Sequence, residues 1–170
     1  HWPSRYSDQL ISERGRIDAA QLLRNKADSL FLTRHNAHII IMGDFNDLPN
    51  NKSILKTLNA QSLNNERNKK ELYNMFLHRI KERDFGTLKY QGQWGVFDQF
   101  IVSGNLLMGN ANIRIKNDKA HIFKADFLTE KDEKYGGIRP YRTYLGPRYI
   151  GGFSDHFPIY LDLIINPMSK

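Results

Sequence analysis

The longest purely apolar run in the chain is four residues, Ile39-Ile40-Ile41-Met42, and it stops in Gly43-Asp44-Phe45-Asn46-Asp47-Leu48-Pro49. A run this short and this β-branched predicts a strand over 38–43, and the breakers after it predict a loop. A helical bilayer span needs roughly 18–20 apolar residues, and no segment approaches that. The chain must therefore bury short apolar segments against one another. Its 170 residues, 40% of them apolar, suffice for one domain or a large piece of one. Cysteine is absent, so disulfides and cysteine-ligated metal sites are excluded.

The net charge is +7. Residues 1–50 are balanced, whereas 51–100 and 101–150 each carry nine basic against five acidic side chains. A basic middle favours anionic partners: phosphates, nucleic acid or acidic headgroups. A solvated surface is the plainer account of the same charge.

Ile17, Ala20, Leu23, Ala27, Leu30 and Phe31 recur at helical spacing and predict a helix from Ser12, its expected N-cap, to about Arg34. Its Glu13/Arg16 pair reads as an exposed face. Ser53–Leu58 reads as a short helix, 59–70 as a polar loop, and Glu71–Glu82 as a helix whose Leu72, Met75, Phe76 and Ile80 face the core. Strands are expected at 86–90, 96–103, 112–116, 121–127 and 156–165, with a turn at 91–95. Residues 128–152 hold five of the twelve glycines and four interleaved tyrosines, and read as a long irregular segment. Helix, strand, helices and then many strands indicate a layered α/β or α+β fold.

Four segments gather chemistry: His1-Trp2-Pro3-Ser4-Arg5, Gly43-Asp44-Phe45-Asn46-Asp47, Val96-Phe97-Asp98-Gln99-Phe100-Ile101-Val102-Ser103, and Gly151-Gly152-Phe153-Ser154-Asp155-His156-Phe157-Pro158. Each sets a carboxylate, carboxamide or imidazole at an expected strand end or in an adjoining loop, where layered α/β folds build sites. Singly, each has a local explanation. Asp44 and Asn46 can shape a turn, Asp155-His156 can enter a strand, and Asp98 can be a buried carboxylate with a structural partner. His35, His38, His78 and His121 have no such context and read as surface or packing residues.

Together, in this order, the four segments resemble the endonuclease/exonuclease/phosphatase superfamily, from His1 to Leu163. Gly-Asp-Phe-Asn resembles its GDxN motif, Ser-Asp-His its terminal SDH motif, and Phe-Asp-Gln-Phe-Ile-Val-Ser its Asp-bearing strand. His-Trp-Pro-Ser-Arg resembles the stretch holding its first active-site His. The resemblance implies a deoxyribonuclease I-like four-layer α/β sandwich. It also implies divalent-metal-dependent hydrolysis of phosphate esters by a phosphodiesterase or nuclease. His1, Asp44, Asn46, Asp98 and His156 are then the expected catalytic residues. Arg5 and Asn46 are the expected phosphate contacts, and Asp44 and Asp155 the expected metal ligands. Mg2+ is the expected cofactor, with Mn2+ or Ca2+ as alternatives.

The family's domain is usually longer, and the metal-binding Glu of its first half has no counterpart after His1. Residues 1–170 therefore read as the C-terminal portion of one such domain, incomplete at the N-terminus and poorly active alone. Its expected partners are the upstream half and a phosphate-ester substrate, nucleic acid being favoured. No obligate protein partner is evident, and the compartment is left open. A sphingomyelinase-like lipid phosphodiesterase is the alternative enzyme. It would show an exposed apolar hairpin, for which Gly104–Gly109 is the nearest candidate. A non-catalytic phosphate-binding domain of the same fold would be expected to lose Asp44, Asn46 or His156, all of which are present.

Overall fold

The structure is a computed structural model that describes residues 1–5, 9–108 and 112–166. The elements are α1 (Gln9–Thr33), β1 (Ile40–Asp44), a π-helical turn (Ser53–Thr57), β2 (Ala60–Ser62), β3 (Leu72–Asn74), β4 (Leu88–Tyr90), β5 (Gln93–Gly95) and β6 (Asp98–Ser103). They continue with β7 (Ile113–Ile122), β8 (Thr129–Lys131), β9 (Ile138–Pro140), β10 (Tyr144–Leu145), β11 (Arg148–Tyr149) and β12 (Ile159–Ile165).

The main sheet has the order β1-β6-β3-β2, with β6 antiparallel to both its neighbours and β2 parallel to β3. Strand β12 pairs antiparallel with β7 in a second sheet. Three small hairpins, β4–β5, β8–β9 and β10–β11, complete the pairings among the described residues.

Each face of the main sheet covers a core. Under α1 lie Ala20, Ala27 and Phe31 with Phe45, Ile54, Leu58, Leu72 and Ile101. On the other face Tyr73, Phe100, Val102 and Leu106 pack with Ile115 and Ala120 of β7. Alternation along β6 sends Ile101 to the helix and Phe100 and Val102 to the second sheet. Asp98 shares the parity of Phe100 and therefore points toward the second sheet. The described layers are thus helix, sheet, sheet.

Helix α1 begins at Gln9, so Ser12 lies inside its first turns rather than capping it. Arg16 is buried on the sheet-facing stripe with Ala20, Ala27 and Phe31, not exposed. It forms an ion pair with buried Asp47 (3.0 Å), which also holds Arg5 (2.8 Å) and accepts from the Ser53 hydroxyl (2.5 Å). A buried carboxylate needs such partners, and these bind α1 to the loop after β1.

Residues 71–82 are not one helix: Leu72–Asn74 form β3 and only Leu77–Arg79 make a 3₁₀ turn. Leu72–Phe76 are all buried because β3 sits between β2 and β6 with both faces covered, and the one polar residue among them, Asn74, is satisfied by Gln99. The core role of Leu72, Met75 and Phe76 stands; their spacing mimics a helical stripe. Likewise 91–95 is not all turn, since Gln93–Gly95 form β5. In place of the expected strands at 112–116 and 121–127 there is one strand, β7 over 113–122, which pairs along β12 through a register shift between Leu161 and Leu163, while 123–127 leaves the sheet and enters a 3₁₀ turn at Asp126–Leu128. Residues 128–152 hold two hairpins rather than irregular chain. Gly104–Leu107 is a buried 3₁₀ turn, with Leu106 and Leu107 at most 3% exposed, so it presents no apolar membrane surface. Gly109 lies outside the described residues. No described helix is long and apolar enough to cross a membrane.

Replacing Arg16 by Leu should destabilise the protein by about 3 kcal/mol, because Asp47 stays buried with part of its compensation removed. Urea denaturation of the variant against the parent measures this. A loss under about 1 kcal/mol would show that Arg5 and Ser53 suffice.

Candidate active site

Antiparallel register places Asp44, the last residue of β1, directly opposite Asp98, the first of β6. Opposed residues project to the same face, so two carboxylates stand side by side where the sheet ends. The loop entering β12 brings His156 to them. Its Nδ1 lies 2.6 Å from Asp98 Oδ2. Ligand atoms of Asp44, Asp98 and His156 all fall within 4.8 Å of one another.

The loop after β1 closes on its own strand end. The Asn46 backbone N–H donates to Asp44 Oδ1 (2.7 Å), and Asn46 Nδ2 donates to Asp44 Oδ2 (3.2 Å) and to the Trp2 carbonyl (3.1 Å). Asn46 takes a left-handed backbone with φ of 50°, which asparagine tolerates better than most residues. The Trp2 N–H donates to the Asp44 carbonyl (3.0 Å) and its ring meets Phe45 edge-on. His1 Nε2 therefore comes within 3.4 Å of Asp44 Oδ2 while its side chain stays 70% exposed.

Deeper support comes from Gln99, wholly buried beside Asp98. Its Nε2 donates to the carbonyls of Asp47 (2.6 Å) and Val96 (3.1 Å), and its Oε1 accepts from Asn74 (2.6 Å). The Phe45 N–H donates to the Phe97 carbonyl (2.9 Å). The loops carrying Asp44 and Asp98 are thereby one unit.

The electrostatics follow from this crowding. Burial pushes the Asp44 carboxyl above its ordinary value; the Asn46 N–H opposes this and the Asp98 charge adds to it. For His156, burial alone would lower the pKa. The hydrogen bond that the ring donates to Asp98 and the charges of Asp98, Asp155 and Asp44 outweigh it, and the net shift is upward. The imidazole is thus held able to keep a proton near neutrality.

Of the expected site residues, His1, Asp44, Asn46, Asp98 and His156 come together. Asp155 is exposed and its charge is felt at His156, but its carboxylate does not join the three-residue group. Arg5 spends Nε on the Asn46 carbonyl (2.7 Å) and Nη2 on Asp47 and Asn51 (both 2.8 Å). It braces the loop rather than reaching into the cleft. Asp47, Arg16 and Gln99 were missed as positioning residues. The one available signal was an amide and a carboxylate adjacent inside the apolar run Val96–Ser103.

Hard divalent cations prefer carboxylate oxygens. Asp44 fits that preference, being half-buried and aimed at the cleft. Asp98 Oδ2 and His156 Nδ1 are already satisfied by each other, which suits a proton-handling pair better than two ligands.

A sequence profile described as Endonuclease/Exonuclease/phosphatase family matches residues 1–164. No curated protein sequence matches the chain. Among solved structures, an endonuclease/exonuclease/phosphatase family protein from Bacteroides thetaiotaomicron is similar with a TM-score of 0.50 at 18% identity. That likeness covers 91% of this chain and 45% of the other, so the chain spans less than half the length of that relative. At this identity it speaks for the fold, while the profile spans nearly the whole chain: the protein belongs to the endonuclease/exonuclease/phosphatase family.

Proposed function

We propose that this chain carries the Asp–His half of a divalent-metal-dependent phosphodiesterase site, acting on a nucleic acid. The family supports phosphate-ester hydrolysis in general. The observation that carries the finer reading is the 2.6 Å contact between Asp98 and His156 beside Asp44. The basic middle of the sequence supports a polyanionic substrate. The turn expected to serve a lipid phosphodiesterase does not favour that alternative, since its Leu106 and Leu107 are buried.

In this reading Asp44, with Asp155 nearby, would hold the cation together with oxygens from an upstream half of the domain. When bound, the cation neutralises phosphate charge and polarises the phosphoryl group. The chain's own residues do the rest. Asp98 accepts from His156 Nδ1–H and so fixes the ring's tautomer and direction. The other ring nitrogen, Nε2, can then take or give a proton at an oxygen of the reacting phosphate. Asn46 spends its two Nδ2 hydrogens on the Trp2 carbonyl and Asp44, so its part is to hold Asp44 in place rather than to donate to the phosphate. His1, exposed beside Asp44, can donate to a phosphate oxygen.

The test is hydrolysis of plasmid DNA, an abasic duplex, sphingomyelin and inositol phosphates, with Mg2+ and with chelator. It is run on the chain alone and with the upstream half in trans. Chelation should abolish turnover, and the chain alone should turn over little. Preferential cleavage of sphingomyelin or inositol phosphates would overturn the nucleic-acid reading.

Replacing His156 by Ala should lower kcat by roughly 10²–10⁴, the usual worth of a positioned acid or base. Asp98→Asn should cost up to a comparable amount through loss of ring orientation. Near-normal turnover of His156→Ala on the best substrate would remove the imidazole from the mechanism.

Asp44→Asn separates stability from activity. A carboxyl whose folded pKa is raised favours the folded state most below its unfolded pKa and loses that advantage as pH rises through the folded value. At pH 7 its charge therefore opposes folding. The variant should melt higher than the parent at pH 7 while losing metal-dependent turnover. For His156, also raised, the stabilisation is full below the imidazole's ordinary pKa and fades as pH rises through its folded value. Thermal melts from pH 5 to 9 measure both trends.

A further inference from the structure

One buried residue outside the recognised motifs touches the supports of both halves of the Asp98–His156 pair. Thr87, fully buried just before β4, receives at its hydroxyl oxygen the backbone N–H groups of Phe97 (3.1 Å) and Asp98 (3.2 Å). The hydroxyl faces the Gly95 carbonyl at 3.5 Å, and the Thr87 N–H donates to that same carbonyl (2.9 Å). On its other side, the Thr87 carbonyl accepts the N–H of Phe157 (2.8 Å), the residue after His156. Asp98 and His156 are 58 residues apart in sequence, yet their backbones are tied to the same threonine.

The surroundings keep Thr87 in place. A Cβ on Gly86 would come within 2.9 Å of Gly95 and Trp94, so only glycine permits this approach. The buried Phe157 ring stacks on Trp94 at 5.7 Å, and the Lys124 ammonium lies 4.2 Å from the centre of the Trp94 ring. The β4–β5 hairpin is therefore a platform under the His156 loop.

The geometry points to Thr87 as the positioning residue that sets the Asp98–His156 distance, through its hydroxyl on the aspartate side and its carbonyl on the histidine side. A hydroxyl with two lone pairs can accept both N–H groups while donating its own proton. Valine has the same shape but no acceptor, and would leave two buried N–H groups unsatisfied. Serine keeps the acceptor. The inference deepens the phosphodiesterase reading and rests on it for the kinetic consequence alone.

The test compares Thr87→Val and Thr87→Ser with the parent by NMR and, in the hydrolase-competent protein, by kinetics. In the parent, the His156 Nδ1–H held by Asp98 should give a far-downfield proton resonance. Thr87→Val should weaken or lose it and lower kcat roughly ten- to hundred-fold with KM nearly unchanged, as small misplacements of catalytic groups do. Thr87→Ser should restore both. A valine variant that keeps the resonance and the parent kcat would overturn the inference. So would a serine variant as impaired as valine. If the valine variant does not fold, amide hydrogen exchange in the parent decides. The Phe97, Asp98 and Phe157 amides should then exchange together and slowly, and rapid exchange of any one would overturn the shared anchor. Absence of hydrolysis in the parent even with the upstream half supplied in trans would count against the hydrolase reading, while the resonance would still decide the role of Thr87.

Discussion

Strand β6 is the constraint on which the rest depends. It lies between β1 and β3, with a helix-side core on one face and the second sheet on the other. Every residue from Gln99 to Ser103 is buried. A strand covered on both faces must satisfy its backbone laterally and its side chains on both sides. Polar side chains are then tolerated only where partners exist. Gln99 finds three, Ser103 bonds the Ala37 carbonyl, and Asp98 sits at the open end. The site exists where this strand leaves the core.

Charge is handled differently at the two depths of that end. Asp47 is buried and fully partnered by Arg16, Arg5 and Ser53. It is structural, and it holds the loop in which Asn46 turns. Asp44 and Asp98 lie opposite one another as like charges, a pairing that costs stability in a sheet. Asp98 is relieved by its hydrogen bond to His156, whereas Asp44 has the Asn46 donors, the exposed His1 ring and the charge of His156 around it, and burial still raises its carboxyl above the ordinary value. An under-compensated carboxylate in a cleft is the expected mark of a site that binds a cation or works on a charged substrate.

Strand β1 is an edge strand of the main sheet among the described residues. Met42 is 69% exposed there, and Trp2 already bonds the strand's last carbonyl. Trp2 thus lies beside the end of β1, and His1 reaches Asp44 from that side. The first residues belong to the site because of this approach, not because of any local preference for structure.

Much of the site was legible because its residues occur as short polar words at the ends of apolar runs: Gly-Asp-Phe-Asn after Ile39–Met42, Asp98 opening Phe100–Val102, Ser-Asp-His before β12. Periodicity also located α1, and a short β-branched run ended by breakers located β1. Periodicity failed at 71–82, where β3 is buried on both faces and the spacing of Leu72, Met75 and Phe76 matched a helical stripe. It failed at Arg16, whose burial follows from an ion pair with Asp47, 31 positions away in sequence. By itself the sequence determined which segments are apolar, where they end, and which ionisable groups stand at those ends. Only the tertiary structure decided that Asp44 opposes Asp98 in register, that Asp98 meets His156, that Arg5 is spent on a loop, and that Thr87 ties two strands of the site together. Those outcomes depend on strand register and long-range pairing, which follow from how the covered faces fit and are not written in any local run of residues.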